Sequence, residues 1–135
     1  MPSFSWEPSF SVDLEAMDRQ HIKIFDMMAS IHNLLSHKQQ IDLIDEMLDK
    51  FDIYCKMHFY EEERLMEGMN FPSIAEHKRQ HDLFILNLDR FRARDLQHDI
   101  QKNAGDFERI KAWFVNHILT EDMRYSEFYI GKHKN

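Results

Sequence analysis

Three glycines and three prolines in 135 residues leave this chain few places to turn. An average protein carries roughly 12% of the two together, and a sandwich or barrel of many short strands consumes them at its turns. Long helices are what remains, and the apolar pattern supplies four. The first runs from about Met17 to His37, with His21, Phe25, Met28, Ile31, His32 and Leu35 on one stripe. The second spans about Ile41 to Glu67, with Ile44, Met47, Leu48, Phe51, Cys55, His58, Glu62 and Leu65 facing inward, and Gly68 is the expected left-handed cap. The third opens at Ser73, where Ser73-Ile74-Ala75-Glu76 reads as a capping box directly after Pro72. Its stripe is Ile74, His77, His81, Phe84, Leu88 and Phe91. The fourth begins between Asp99 and Asp106, with Gly105 before it or inside it, and carries Phe107, Ile110, Phe114, His117, Ile118 and Tyr125. Short connections make the expected fold all-α: an antiparallel up-down-up-down four-helix bundle over residues 17–135. Residues 1–16 read as an extended N-terminal arm laid on it, broken by Pro2 and Pro8 and anchored by Phe4, Trp6, Phe10 and Val12.

Charge narrows the partners. A net charge of −7 disfavours nucleic acid, which wants a basic face. No apolar run approaches the roughly 18 residues of a membrane span. The first ten residues have neither a basic nor an apolar signal region, and Cys55, the one cysteine, has no internal partner. Both point to a cytoplasmic protein, and no stripe suggests an unusual apolar outer face.

Nine histidines are the unusual count. Helical rise places several of them at one height. With the second turn near residue 70, Glu62 and His77 are each about eight residues from it, and His58 and His81 each about twelve. With the first turn near residue 38, His21 and His58 lie about 18 and 20 residues away on opposite sides. His117 falls near the same level. His58 and Glu62, like His77 and His81, are spaced i, i+4 and share a helix face. A lone histidine on an apolar stripe is ordinarily a hydrogen-bonded core residue. Five at one height with a carboxylate among them are better read as metal ligands.

Imidazole with carboxylate suits iron, zinc, copper or manganese, whereas calcium and magnesium take oxygen shells. Five histidines exceed one metal's ordinary coordination, so two metals sharing carboxylates is the economical expectation. His32, on the face of His21 but about 16 Å along the helix, is structural, and His37, His98 and His133 fall near turns or the tail. Cys55 reads as a small buried hydrophobe. On the fourth helix, periodicity favours Glu121, at i+4 from His117, over Asp122 at i+5.

In order, the residues Asp18-Arg19-Gln20-His21, His58-x₃-Glu62, His77-x₃-His81 and His117-x₄-Asp122 resemble hemerythrin, most closely the single-domain bacteriohemerythrins. Trp6, Ser11-Val12, Phe71-Pro72, Trp113 and Tyr125 extend the likeness over nearly the whole chain. The resemblance implies a non-haem di-iron centre with an oxo or hydroxo bridge. His77, His81 and His117 would hold one iron and His21 and His58 the other, with Glu62 and Asp122 bridging. It therefore favours Asp122 where periodicity favours Glu121. Dioxygen would bind reversibly at the open position of the two-histidine iron, in a pocket lined by Phe25, Phe59, Trp113, Phe114, Ile118 and Tyr125. Asp18 and Gln20 would hydrogen-bond to ligand imidazoles, with helix capping the alternative for Asp18.

Two positions depart from the family pattern: Phe114, where leucine is common, and Asp13, where glycine is frequent. The function the resemblance implies is oxygen carriage, storage or delivery to an oxygen-consuming enzyme, by a monomer and without catalysis. A sensor of oxygen or redox state is the alternative, and a di-iron oxidase or peroxidase a third reading.

Overall fold

The computed structural model describes residues 6–37, 41–94 and 100–132. Four helical rods form the bundle: α1 (Glu15–Ser36), α2 (Ile41–Gly68), α3 (Ile74–Arg92), and α4 (Ile100–His117), which continues through a π-helical turn (Ile118–Asp122) into α5 (Met123–Lys132). α1 packs on α2 and α4, and α3 packs on the same two, so neighbours in sequence are neighbours in the bundle. The described residues contain no strand.

Two apolar clusters fill the interior. The larger takes Ile24, Met28 and Ile31 from α1, Leu48 and Phe51 from α2, Leu88 from α3 and Phe107 from α4. The smaller joins Met66, Met69 and Phe71 to Tyr125 of α5. Along α2, His58 and Glu62 lie between Cys55 of the first cluster and Met66 of the second. The polar layer thus sits within the core, walled from solvent at both ends.

The described part of the arm lies on the bundle. Pro8–Phe10 is a single 3₁₀ turn. Phe10 stacks on Phe25 with ring centroids 5.6 Å apart, and the Ser126 hydroxyl donates to the Val12 carbonyl at 2.6 Å. α1 begins at Glu15, two residues before the expected Met17, and its start is organised by Asp18. That carboxylate accepts from Ser11 Oγ at 2.6 Å and from the Val12 amide at 2.9 Å. Asp18 therefore ties arm to helix and touches no imidazole, which corrects one of its two expected roles. Asp13 has φ 59°, in the left-handed region that glycine enters freely.

Two expected caps are also corrected. Gly68 is not left-handed; the residue that is, with φ 56°, is Asn70. The Phe71 amide donates to Met66 O and the Asn70 amide to Glu67 O, at 3.0 and 3.1 Å. This pair is a Schellman motif, and the apolar contact that accompanies it is Phe71 on Met66. Ser73 makes no side-chain cap bond, because its backbone (φ −97°, ψ 23°) is not the extended one a capping hydroxyl requires. Glu76 instead binds the Arg79 guanidinium at 2.6 and 2.8 Å. Gly105 lies inside α4, with open space where a Cβ would stand.

Candidate metal centre

Each helix carries its polar core residues to one level: His21 from α1, His58 and Glu62 from α2, His77 and His81 from α3, and His117 and Asp122 from α4 and its π-turn. All seven are at most 2% exposed. The rings of His21 and His58 lie 4.7 Å apart. Those of His77, His81 and His117 are separated from one another by 4.6 to 5.1 Å. Two ligand-type groups result: His77, His81 and His117 with Glu62 and Asp122, and His21 and His58 with Glu62.

The π-turn decides between the two carboxylates on the fourth rod. A π-turn spaces hydrogen bonds i to i+5 and takes up one residue more than an α-turn. It returns Asp122 to the face of His117, fully buried, with Asp122 Oδ1 3.1 Å from His117 Nε2. Glu121 is left at the rim, 3.7 Å from Arg124. Unbroken helical periodicity, which favoured Glu121, is wrong at this turn.

Both buried carboxylates divide their oxygens between the two histidine groups. Glu62 Oε1 lies 3.0 Å from His81 Nε2 and 3.3 Å from His77 Nε2, while Oε2 lies 3.4 and 3.5 Å from His21 and His58 Nε2. Asp122 Oδ1 lies 3.0 Å from His77 Nε2, and Oδ2 lies 3.2 Å from His21 Nε2.

Nε2 of His21, His58, His81 and His117 and both Asp122 oxygens are buried without a hydrogen-bond partner. The His21–carboxylate approaches are close enough to act electrostatically but are misaligned for hydrogen bonds. A core does not ordinarily tolerate so many unsatisfied polar atoms. Cations between them would satisfy all at once, and the imidazole–carboxylate donor set fits a transition metal.

Protons otherwise occupy part of that role. Burial opposes charge on His21, but Asp122 and Glu62 outweigh it and raise its pKa to about 9; the same balance lifts His77 to about 10. His58 is driven down to about 3 by burial, against the pull of Glu62. Burial pushes both carboxyls up, yet the histidines around them, led by His58 for Glu62 and by His117 for Asp122, hold them below their usual range.

The model of the hemerythrin HHE cation binding domain matches residues 12–129. The chain belongs to the hemerythrin family. A hemerythrin-like protein of Naegleria gruberi is 36% identical, with 90% of each chain covered. A bacteriohemerythrin of Clostridium acetobutylicum is 26% identical over 90% of this chain and 98% of its own. A crystal structure of wild-type hemerythrin superposes with a TM-score of 0.78 at 27% identity, covering 93% of this chain and 97% of that one.

Around the cluster, each helix braces a histidine of the next. His58 Nδ1 donates to Gln20 Oε1 at 2.6 Å, and Gln20 is itself held by Glu61 at 3.1 Å. His81 Nδ1 donates to Glu63 Oε2 at 2.7 Å, and His117 Nδ1 to Gln80 Oε1 at 3.0 Å. Each bond fixes the tautomer that leaves Nε2 a lone pair aimed inward. Glu63 and Gln80 escaped the sequence reading, although both, like Gln20, stand one residue from a core histidine or carboxylate and so face the neighbouring helix.

The expected pocket residues divide. Phe114 meets His21 edge-on at 6.0 Å and His58 at 6.4 Å, with Phe25 edge-on to it at 6.2 Å. Ile118 is buried in the same cluster. Trp113 does not line this side: its indole stacks on His117, at 4.9 Å and 9°. Phe59 stacks on His81 at 3.9 Å while its ring centroid lies 5.6 Å from that of His58. Tyr125 donates its hydroxyl to Glu62 Oε2 at 2.8 Å. His32 lies away from the cluster, 3.3 Å from Glu108, and His37 Nδ1 donates to the Asn33 carbonyl. His98 and His133 lie outside the described residues. Cys55 is buried and apolar in its surroundings, its thiol pKa pushed well up by burial.

Proposed function

We propose that this chain binds dioxygen reversibly at a di-iron centre, as a carrier, store or delivery protein for an oxygen-consuming enzyme, and not as an enzyme itself. His77, His81 and His117 would hold one iron with Glu62 Oε1 and Asp122 Oδ1. His21 and His58 would hold the other with Glu62 Oε2 and Asp122 Oδ2. The observation that carries the reading is this three-to-two division of histidines across two shared carboxylates. One position has a protein donor fewer than the other, and that is where a small ligand would enter. The iron pair, when bound, supplies the two electrons by which dioxygen is held and released.

The remaining work falls to the protein. Phe114 and Phe25 close the two-histidine side with apolar rings, keeping water and protons from a bound anionic ligand. Gln20, Glu63 and Gln80 hold three imidazoles in the ligating tautomer. Tyr125 holds Glu62 Oε2 in place. Five neutral imidazoles and two carboxylates bring little negative charge, which stabilises highly oxidised iron less than a carboxylate-rich shell would.

The test is a cycle on iron-loaded protein, reduced without oxygen, then given oxygen and purged while the visible spectrum is recorded. Repeated appearance and loss of one charge-transfer band supports the proposal. Irreversible conversion to the ferric form, or sustained turnover of an added reductant, contradicts it.

A further inference from the structure

The two halves of the polar layer are unequally prepared for a cation. On one side Glu62, His77, His81, His117 and Asp122 each offer a ligand atom, and these atoms all lie within 4.8 Å of one another. On the other side only His21, His58 and Glu62 gather in this way, with Asp122 Oδ2 at 3.2 Å from His21 Nε2. An ion entering the first half meets more ligands and has to move fewer of them. A site already arranged binds more tightly than one that must be assembled.

The surroundings widen the difference. His81 donates its Nδ1 proton to a carboxylate, Glu63, at 2.7 Å, which makes Nε2 a more basic ligand than a neutral acceptor would. Phe59 lies flat on the same imidazole, at 3.9 Å and 13°. His117 is held likewise between the Gln80 amide and the flat face of Trp113. On the two-histidine side His58 has the neutral amide of Gln20, and Phe114 crosses His21 at 82° and His58 at 51°. His77 and His21, one in each half, have Nδ1 without a partner among the described residues, so they do not separate the two. Two dications across shared carboxylates also repel, and the first to bind weakens the second.

We propose that the centre fills in order: the three-histidine position takes and keeps the first divalent transition-metal ion, and the two-histidine position is an exchangeable second site. This rests on the two-metal reading above and adds a regulation to it. The open position belongs to the second ion, so occupancy of that site sets whether the chain can take a small ligand.

Calorimetric titration of the metal-free full chain with zinc, which brings no redox chemistry, tests the order. Two steps of one ion each are expected, the first tighter by about tenfold or more. Glu63→Ala with Gln80→Ala should weaken the first step by about 10- to 100-fold and bring the two together, and Glu63→Gln with Gln80 kept should restore most of the gap. Gln20→Ala should weaken the second step alone. Brief exposure of the two-zinc protein to EDTA should remove one ion. Crystals of that form, recorded at the zinc absorption edge, should show the remaining ion against His117 and none against His58. Circular dichroism verifies that each variant is folded, and the EDTA result on the parent chain carries the test if one is not. Two ions bound or released with equal ease, or a remaining ion at His58, would overturn the order and leave the two-metal reading standing. A single ion at saturation would overturn both.

Discussion

The hydroxyl of Tyr125 donates to Glu62 Oε2 at 2.8 Å in a fully buried contact that joins α5 to α2 across the polar layer. It is the oxygen that also faces His21 and His58. Tyr125→Phe keeps the ring and removes the donor. The expected loss is about 1–2 kcal/mol of stability with the metal content unchanged, read by urea unfolding beside metal analysis. Loss of both metals would place Tyr125 in the binding set itself.

His77→Ala and His32→Ala separate the centre from the rest of the histidines. His77 stands at 3.0 Å from Asp122 Oδ1, while His32 pairs with Glu108 away from the cluster. Metal analysis should find the first depleted and the second loaded as the parent. Equal retention would contradict the assignment.

Glu63 acts through His81. Glu63→Ala removes the acceptor of the Nδ1 proton, and metal affinity is expected to fall by about 10- to 100-fold, measured by competition with a chelator. Glu63→Gln keeps an acceptor and should recover most of the loss.

pH acts on the metal-free chain from both sides. His21 and His77, with folded pKa values of about 9 and 10 against 6.5, contribute stability that is present below about 6.5 and lost as pH rises through 9 to 10. His58, lowered to about 3, works the other way: between about 3 and 6.5 only its unfolded form binds the proton, so stability rises with pH there. The metal-free chain is therefore most stable near pH 6.5, as thermal unfolding across pH will show. Metal binding displaces the protons on His21 and His77, so loading a weakly buffered neutral solution should release them and affinity should climb with pH. Proton uptake on loading would contradict this.

Gly105→Ala is a stabilising change. The residue lies within α4, and a Cβ there meets no atom within 4 Å. About 0.5–1 kcal/mol is expected, seen as a rise in Tm without change in metal content.

Much of this centre is legible in the sequence because helices are rigid rulers. A fixed rise per residue turns spacing from a turn into height, which is why His21, His58, His77, His81 and His117 could be placed together before any coordinates. What escaped depends on departures from that ruler. Nothing in Leu119-Thr120-Glu121-Asp122 signals a π-turn, and both acidic residues are chemically eligible, so regular periodicity selects the wrong one. Gly68 is the better left-handed former, but the chain turns two residues later, where Asn70 tolerates φ 56° and Phe71 reaches Met66. Ser73 carries a capping sequence in a backbone that does not use it. Gln80 and Glu63 are polar residues on helices full of polar residues. Only the packing of α3 on α4 and of α2 on α3 distinguishes them.

The proposed sharing of Glu62 and Asp122 by two metal ions is put to the test by crystals of the iron-loaded protein, with diffraction recorded at the iron absorption edge. The expected map has two anomalous peaks, about 3.5–4 Å apart, with one oxygen of each carboxylate on each peak. A single peak, or two peaks with Asp122 bound to neither and Glu121 in its place, would contradict it.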